Sequence, residues 1–411
     1  MLDTRPFRSS AFRHLATGYW VNYLGDWIGE VALAVLVFDR TGSALATATL
    51  FLALRVLPAL VAPLLAVFAE ARSPRRVLPS IYLMEGVIFA AIALLAPRSA
   101  IPAVMVLAAL DGMLSVTARA LTRSAAATGL LAENLLREGN ALLSLGSVIC
   151  GAAGPALGGL LVAAEGVRPA LLVDAVSFVL VAGIVATASG LRIAHDKEAG
   201  TVGRLRAVRD VVRWNRAVAG LLLGVAFVFL LGAIPIPVDV VFAKRTLHAG
   251  DVGYGLLLAA WGVGMTVGGV AFAATAKVRP LILLCVSTLL LGAGYGGLAV
   301  APNLVFACAV SVIAGAGNGV GWTAAVTAVQ QAIPVTTMSG VMSVLETVSQ
   351  VMPAAGFMIG GALTALYSPR AAYGAAGAGV AAVVLVGLAS RRRVLRRNDG
   401  IVLRPPANNA L

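Results

Sequence analysis

The chain has 411 residues, 60% apolar and 12% charged, and its mean hydropathy of +0.94 excludes a water-facing surface over most of its length. A net charge of +13 would direct a soluble protein toward nucleic acid, but Lys and Arg sit here at the ends of apolar segments and form no basic stripe, so the expected partner is the lipid bilayer and no nucleic acid. No GxxxxGK[ST] or HExxH occurs, and Cys150, Cys285 and Cys308 lie singly in apolar segments, so neither ATP-driven transport, a metal site, a disulfide framework nor any cofactor is expected.

A basic start (MLDTRPFRSSAFRH) precedes an apolar run of about 25 residues with no small-residue cleavage site, which reads as a retained first helix. From there, apolar stretches of about 20 residues, the length that crosses a bilayer, predict twelve helices. They are 13–38, 45–68, 77–96, 101–123, 140–164, 169–190, 217–241, 252–275, 280–300, 303–327, 337–364 and 370–390. The expected fold is an all-α polytopic membrane protein of twelve transmembrane helices in two six-helix halves. On one side the loops carry only Arg40, Arg98, Arg168, Lys244, Arg245 and Arg370, Arg55 lies inside the second helix, and the rest of the 31 basic residues fall on the side of both termini. That excess places both termini in the cytoplasm and the protein in the cytoplasmic (inner) membrane.

The polar stretch 191–216 separates a half at 1–190 from a half at 217–390, and a basic tail follows at 391–411. Its second part, 203–216, spaces Leu205, Val208, Val212 and Trp214 among arginines, which reads either as an amphipathic helix on an anionic leaflet or as a solvated linker. GPALGGLL at 154–161 matches GFMIGGAL at 356–363. Gly154, Gly158 and Gly159 fall on Gly356, Gly360 and Gly361 at an offset of 202, so the fifth helix reads as the counterpart of the eleventh.

Ionisable groups at bilayer depth cost about 2.5–3.5 kcal/mol each on insertion scales, which makes them the first candidates for function. Asp26 and Glu30 stand four apart and share a face of the first helix, and Arg55 on the second helix falls near the same depth as Asp26. An acid pair beside an arginine suits a proton carrier; a static ion pair, with Glu30 reaching to the surface, is the alternative. Asp111, near the middle of the fourth helix, is a further candidate for a proton or a cation, whereas Arg119 near its end reads as a topology charge. Glu85 and Glu346 are also intramembrane, and Glu346 with Gln350, four apart, faces either the cavity or a neighbouring helix; Asp174 and Asp239 read as structural. Tyr19, Asn22, Tyr23, Trp261, Asn318 and Trp322, with Glu346 and Gln350, are the candidates for lining a largely apolar substrate cavity.

The segment 134–178 carries a NAL start, a GPxxGG fifth helix and a DAxSF sixth-helix start, and in this order it resembles the enterobactin-exporter and macrolide-efflux branch of the major facilitator superfamily. LGDWIGEVAL (24–33), TGSAL (41–45), YGLLLAAWGVG (254–264) and VQQAIPVTTMSGVMSV (329–344) agree. The resemblance implies a central cavity lined by helices one, four, seven and ten, and makes Gly154, Pro155, Gly158 and Gly159 the core of an antiporter motif. Small residues and a proline suit either a compliant gate or plain close packing. The loop VFAEARSPRRVL (67–78) is similar to the superfamily's GxxxDRxxRR gating loop: Arg72, Arg75 and Arg76 match, Ala71 stands at the aspartate position, and Glu70, one residue early, is the candidate substitute. A loop that is basic only because inner loops are basic is the alternative.

The function implied is export of small amphipathic molecules, a macrolide-like drug or a siderophore-type metabolite, by proton antiport through a monomer with alternating access. Uptake or lipid transport on the same fold is the alternative. A membrane-embedded enzyme or sensor would require a cluster of nucleophile, base and metal ligands or a sizeable soluble domain, and the sequence contains neither.

Overall fold

Short polar residues punctuate the first two helices. Ser9 accepts from the Phe12 amide and opens α1 (Ser10–Thr41). Gly42 closes it with φ 62°, its amide on the Phe38 carbonyl, and Ser43 then accepts from the Ala46 amide to open α2 (Ala44–Phe51). A glycine takes this left-handed conformation without Cβ strain, so the TGS tripeptide reverses the chain between α1 and α2.

The computed structural model describes residues 5–56, 58, 74–98, 100–132, 135–188, 216–275, 278–332 and 338–399. Regular structure in these residues is helical throughout. α2 continues as a π-helical turn, Leu52–Val56, and is followed by α3 (Pro74–Leu95), α4 (Ile101–Ala132), α5 (Leu136–Glu165), α6 (Val167–Thr187), α7 (Arg216–Gly232), α8 (Gly250–Ala274), α9 (Pro280–Ala299), α10 (Leu304–Ala332), α11 (Met338–Leu366) and α12 (Pro369–Asp399). Ten of these are long and apolar enough to cross a membrane, and two shorter apolar pieces, Ala44–Val56 and Val218–Gly232, fall where the second and seventh helices are expected. The remainder of the expected second helix, Glu70 and Arg72 of the gating loop and most of the 191–216 linker lie outside the described residues, as does the end of the basic tail.

The seventh helix is shorter than the expected 217–241 because Pro235 and Pro237 each lack the amide that would continue its hydrogen-bond ladder. The chain turns through 233–238, resumes as the helical turn Asp239–Val241, and ends in a π-helical turn, Phe242–Thr246. Tyr295 of α9 donates to the Gly232 carbonyl at 2.9 Å, satisfying one acceptor released by the break.

The helices are apolar on both sides, as lipid requires. On α6, Leu171, Ala175, Phe178 and Ala182 are buried, while Leu172, Val176 and Leu180 on another face are exposed. α1 packs on α5 and α6, and α3 on α6 and α4; in the second half α8 and α9 pack on α10, α12 on α9 and α11 on α7. Between these groups the most extensive contacts are α5 with α8 and α2 with α11.

The repeated glycines occupy corresponding places in this plan. A Cβ on Gly154 or Gly158 would meet α1, at Trp27 (2.6 Å) or Ile28 (3.1 Å), and one on Gly356 or Gly360 would lie 2.1 Å from the Leu230 or Ile234 carbonyl, in or just beyond α7. Gly159 faces across to α8, where an added Cβ would lie 2.9 Å from the Gly255 Cα, and Gly361 faces across to α2, where one would lie 2.9 Å from the Ala48 Cβ. In each half the first two glycines seat the helix on the first helix of its own half, and the third seats it on the second helix of the other.

Candidate functional site

The α5–α8 and α2–α11 contacts crowd toward one face of the bundle, the face of Gly42 and Lys244, and there the two groups of helices are tied. Lys244 Nζ donates to Asp39 of α1 at 2.5 Å and to Asp251 of α8 at 2.8 Å. The neighbouring Arg245 guanidinium lies 4.9 Å from the Phe38 ring centroid, over the Gly42 turn. Lys244 is only 18% exposed, whereas Asp39 is 44% exposed, so the clasp contributes about 1 kcal/mol, the upper part of the range for ion pairs in contact with water. Lys244→Gln is therefore expected to raise the population open at this face about fivefold. The check is the maleimide modification rate of Ala48→Cys, buried beneath Gly361, in a background lacking the three native cysteines; an unchanged rate counts against the clasp.

Away from this face the helices part around a cavity of about 1730 Å³. It runs from Gly220, Leu281 and Leu388, near the end of the bundle where α1 begins and α12 finishes, to Asp239, Tyr295 and Leu298. Its wall is mostly apolar and aromatic, the usual composition of a small-molecule site. Of the expected lining residues, Trp261, Asn318 and Trp322 are on the wall, Trp322 edge-on to Phe229 at 5.6 Å. Tyr19 and Asn22 are buried in packing instead, Tyr19 among Phe12, Leu15, Ala125 and Leu142, where α1 is covered by α4 and α5. Tyr23 stacks on Tyr19 behind the wall, and Ser349 and Pro353 of α11 line the cavity where Gln350 was expected. The side chain of Glu346 lies outside the described residues.

The intramembrane charges form two ion pairs one helical turn apart. Arg55, expected beside Asp26, instead donates to Glu30 at 2.5 Å, and both line the cavity. Asp26 is paired with Arg119 of α4 at 3.1 Å, and the same guanidinium nitrogen reaches Ser115 at 2.5 Å. Arg119 is thus more than a topology charge: α4 runs on to Ala132, past the expected end at 123, so residue 119 lies within the helix and pairs with Asp26. The π-helical turn at Leu52–Val56 sits where α4 comes closest, with a Cβ on Gly112 falling 2.4 Å from the Leu54 carbonyl.

Behind the pairs is a cluster that the sequence scattered over three helices. Glu85 (0% exposed), Asp111 (6%) and Asp174 (0%) lie within electrostatic reach of Asp26. Both Glu85 carboxyl oxygens, Oδ1 of Asp111 and Oδ2 of Asp174 are buried without a hydrogen-bond partner among the described residues. Asp174 accepts from Ser177 at 3.1 Å and is wedged against Gly25 and Gly29 of α1, where any Cβ would strike it. The wide separation of these acids in sequence, and the lack of any partner at helical spacing, hid the cluster.

The glycine ridge of α5 holds the helix that carries the acids. Gly146 admits the Trp20 indole, Cys150 Sγ donates to the Trp20 carbonyl at 3.5 Å, and Gly154 and Gly158 receive Trp27 and Ile28. Cys150, four residues from Gly146 and from Gly154, keeps this i, i+4 ridge small. Of the gating loop, Arg76 is described and exposed; the Arg75 side chain is outside the described residues.

A pseudo-repeated twelve-helix bundle with a central cavity is the architecture of a major facilitator transporter, and the solved structures that resemble this one share it. A bacterial homologue of the human lysosomal transporter Spinster, inward-facing and unoccupied, superposes with a TM-score of 0.69 at 16% identity over 94% of this chain and 96% of that one. The nucleoside transporter NupG gives 0.72 at 10% identity over 92% and 98%, and a bacterial homologue of the iron transporter ferroportin, inward-facing, 0.72 at 15% over 92% and 98%. The profile of the family described as transmembrane secretion effector matches residues 3–408, and the chain belongs to that family. No curated protein matches it.

Proposed function

We propose that the protein is a secondary active exporter, moving small amphipathic molecules such as a macrolide-like drug or a siderophore-type metabolite out of the cell by proton antiport. Its two halves, 1–190 and 217–390, alternate around the cavity, with both termini in the cytoplasm and the Lys244 face outside. The observation that carries this reading is the pair of adjacent ion pairs on α1, Glu30–Arg55 on the cavity wall and Asp26–Arg119 one turn away, backed by three further buried acids. Charge at this depth is costly unless it is used, and protonation of Asp26 would release Arg119 to Ser115, coupling a proton to the contact between α1 and α4. The secretion family supports the outward direction, and the basic excess on the side of the termini supports the orientation of the chain.

The test is transport into inverted membrane vesicles with an imposed pH gradient, acid inside. Accumulation of an amphipathic substrate that collapses on adding a protonophore is the expected result. Accumulation indifferent to the gradient would sink proton coupling, and accumulation only in right-side-out vesicles would reverse the direction to uptake.

A further inference from the structure

The cavity wall holds one carboxylate that the coupling pairs do not use. Asp239 follows the Pro235–Pro237 break in the seventh helix, and the break turns it from an ordinary helix-end position into the closed end of the cavity, where it is half-buried. Its Oδ1 accepts from the Tyr373 hydroxyl, a neutral donor. Four described cations at this end are committed elsewhere: Arg55 to Glu30, Lys244 to Asp39 and Asp251, Arg245 to the Phe38 ring, and Arg370 to the Ala301 carbonyl. Glu30 on the wall is already matched by Arg55, so Asp239 is the charge on the wall without a counter-ion among the described residues.

Around it the wall is aromatic. Tyr254 and Tyr295 line the cavity within electrostatic range of Asp239, and Trp261 follows Tyr254 on α8. A carboxylate beside aromatic rings in an apolar space attracts positive charge twice, through the anion and through the ring quadrupoles, and repels a second anion. We infer that this end of the cavity is a subsite for the cationic group of an amphipathic substrate, a protonated amine or quaternary centre carried on apolar rings, with Asp239 as its counter-ion and Tyr254 and Tyr295 as its aromatic walls. The inference rests on the transport reading above and narrows it, selecting amphipathic cations over anionic metabolites.

The probe pair is tetraphenylphosphonium and tetraphenylborate, which share size and shape and differ in sign of charge. Binding to the purified full-length protein is measured by equilibrium dialysis, with protein-free micelles of the same detergent as the blank. Wild type is expected to bind the cation at least about tenfold more tightly than the anion, and monodisperse Asp239→Asn to lose about tenfold in cation affinity with anion binding unchanged or stronger. Equal binding of the two ions, tighter binding of the anion, binding of neither, or an unaltered cation affinity in Asp239→Asn overturns the inference. The wild-type selectivity is decisive by itself if the variant does not fold. No gradient enters the measurement, so a protein that fails to accumulate substrate in vesicles yet binds the cation selectively refutes the transport reading and leaves the subsite standing.

Discussion

Asparagine at Asp26 is expected to lower pH-gradient-driven accumulation at least about tenfold while substrate exchange across vesicles without a gradient persists, because the substitution removes a protonation site and keeps the shape. Asn matches Asp in size and can still accept from Arg119, whose nitrogen keeps its second partner at Ser115, so α1 and α4 stay in register. What disappears is the alternation between a charged partner and a neutral one. Glu85, Asp111 and Asp174 remain, so a residual gradient response in the variant would point to one of them. Unchanged accumulation in Asp26→Asn removes Asp26 from the coupling role. Equal loss of exchange and of accumulation identifies a structural pair instead, since a group that only couples has no part in exchange.

The second large effect concerns the glycine repeat, and it separates the two halves of a pseudo-symmetric protein. A Cβ at Gly356 or Gly360 would lie 2.1 Å from a backbone carbonyl, of Leu230 or Ile234, and backbone cannot swing aside as a side chain can. At Gly154 the obstacle is 2.6 Å away and is the Trp27 Cβ, and at Gly158 the nearest atom is 3.1 Å away. Alanine at Gly356 or Gly360 is thus expected to destabilise by about 1–3 kcal/mol, the range for overpacking. At Gly158 the gain in helix propensity, about 1 kcal/mol, offsets the milder contact and leaves stability within about 1 kcal/mol of wild type. Thermal unfolding of the four variants in detergent ranks them; equal midpoints for Gly158→Ala and Gly360→Ala would contradict the packing asymmetry.

Twelve spans were legible because apolar length is a local property, and the 202-residue offset survived because close helix approach tolerates little but glycine. Pro235 and Pro237 were equally visible, yet a span reading joins segments across them, since apolar composition continues through the break. The break then carries Asp239 from an apparent structural position to the cavity wall. Cavity lining was partly legible: aromatic residues on α8 and α10 reach the wall, whereas Tyr19 on α1 packs with residues of α4 and α5 and Asn22 is buried, a distinction set by the rotation of a helix that is apolar all round and so carries no directional signal.

The opening inference, a bilayer-embedded bundle with its charges at helix ends, was determined by the sequence alone, because hydropathy and the placement of Lys and Arg are read residue by residue. The sequence also marked Asp26, Glu30 and Arg55 as charges too deep to be incidental. Only the tertiary structure decided their partners: Arg55 goes to Glu30, and Arg119, 93 positions from Asp26, goes to Asp26. Pairing across helices depends on tilt, rotation and the depth at which each helix crosses its neighbour, and these are products of side-chain packing that no local pattern encodes.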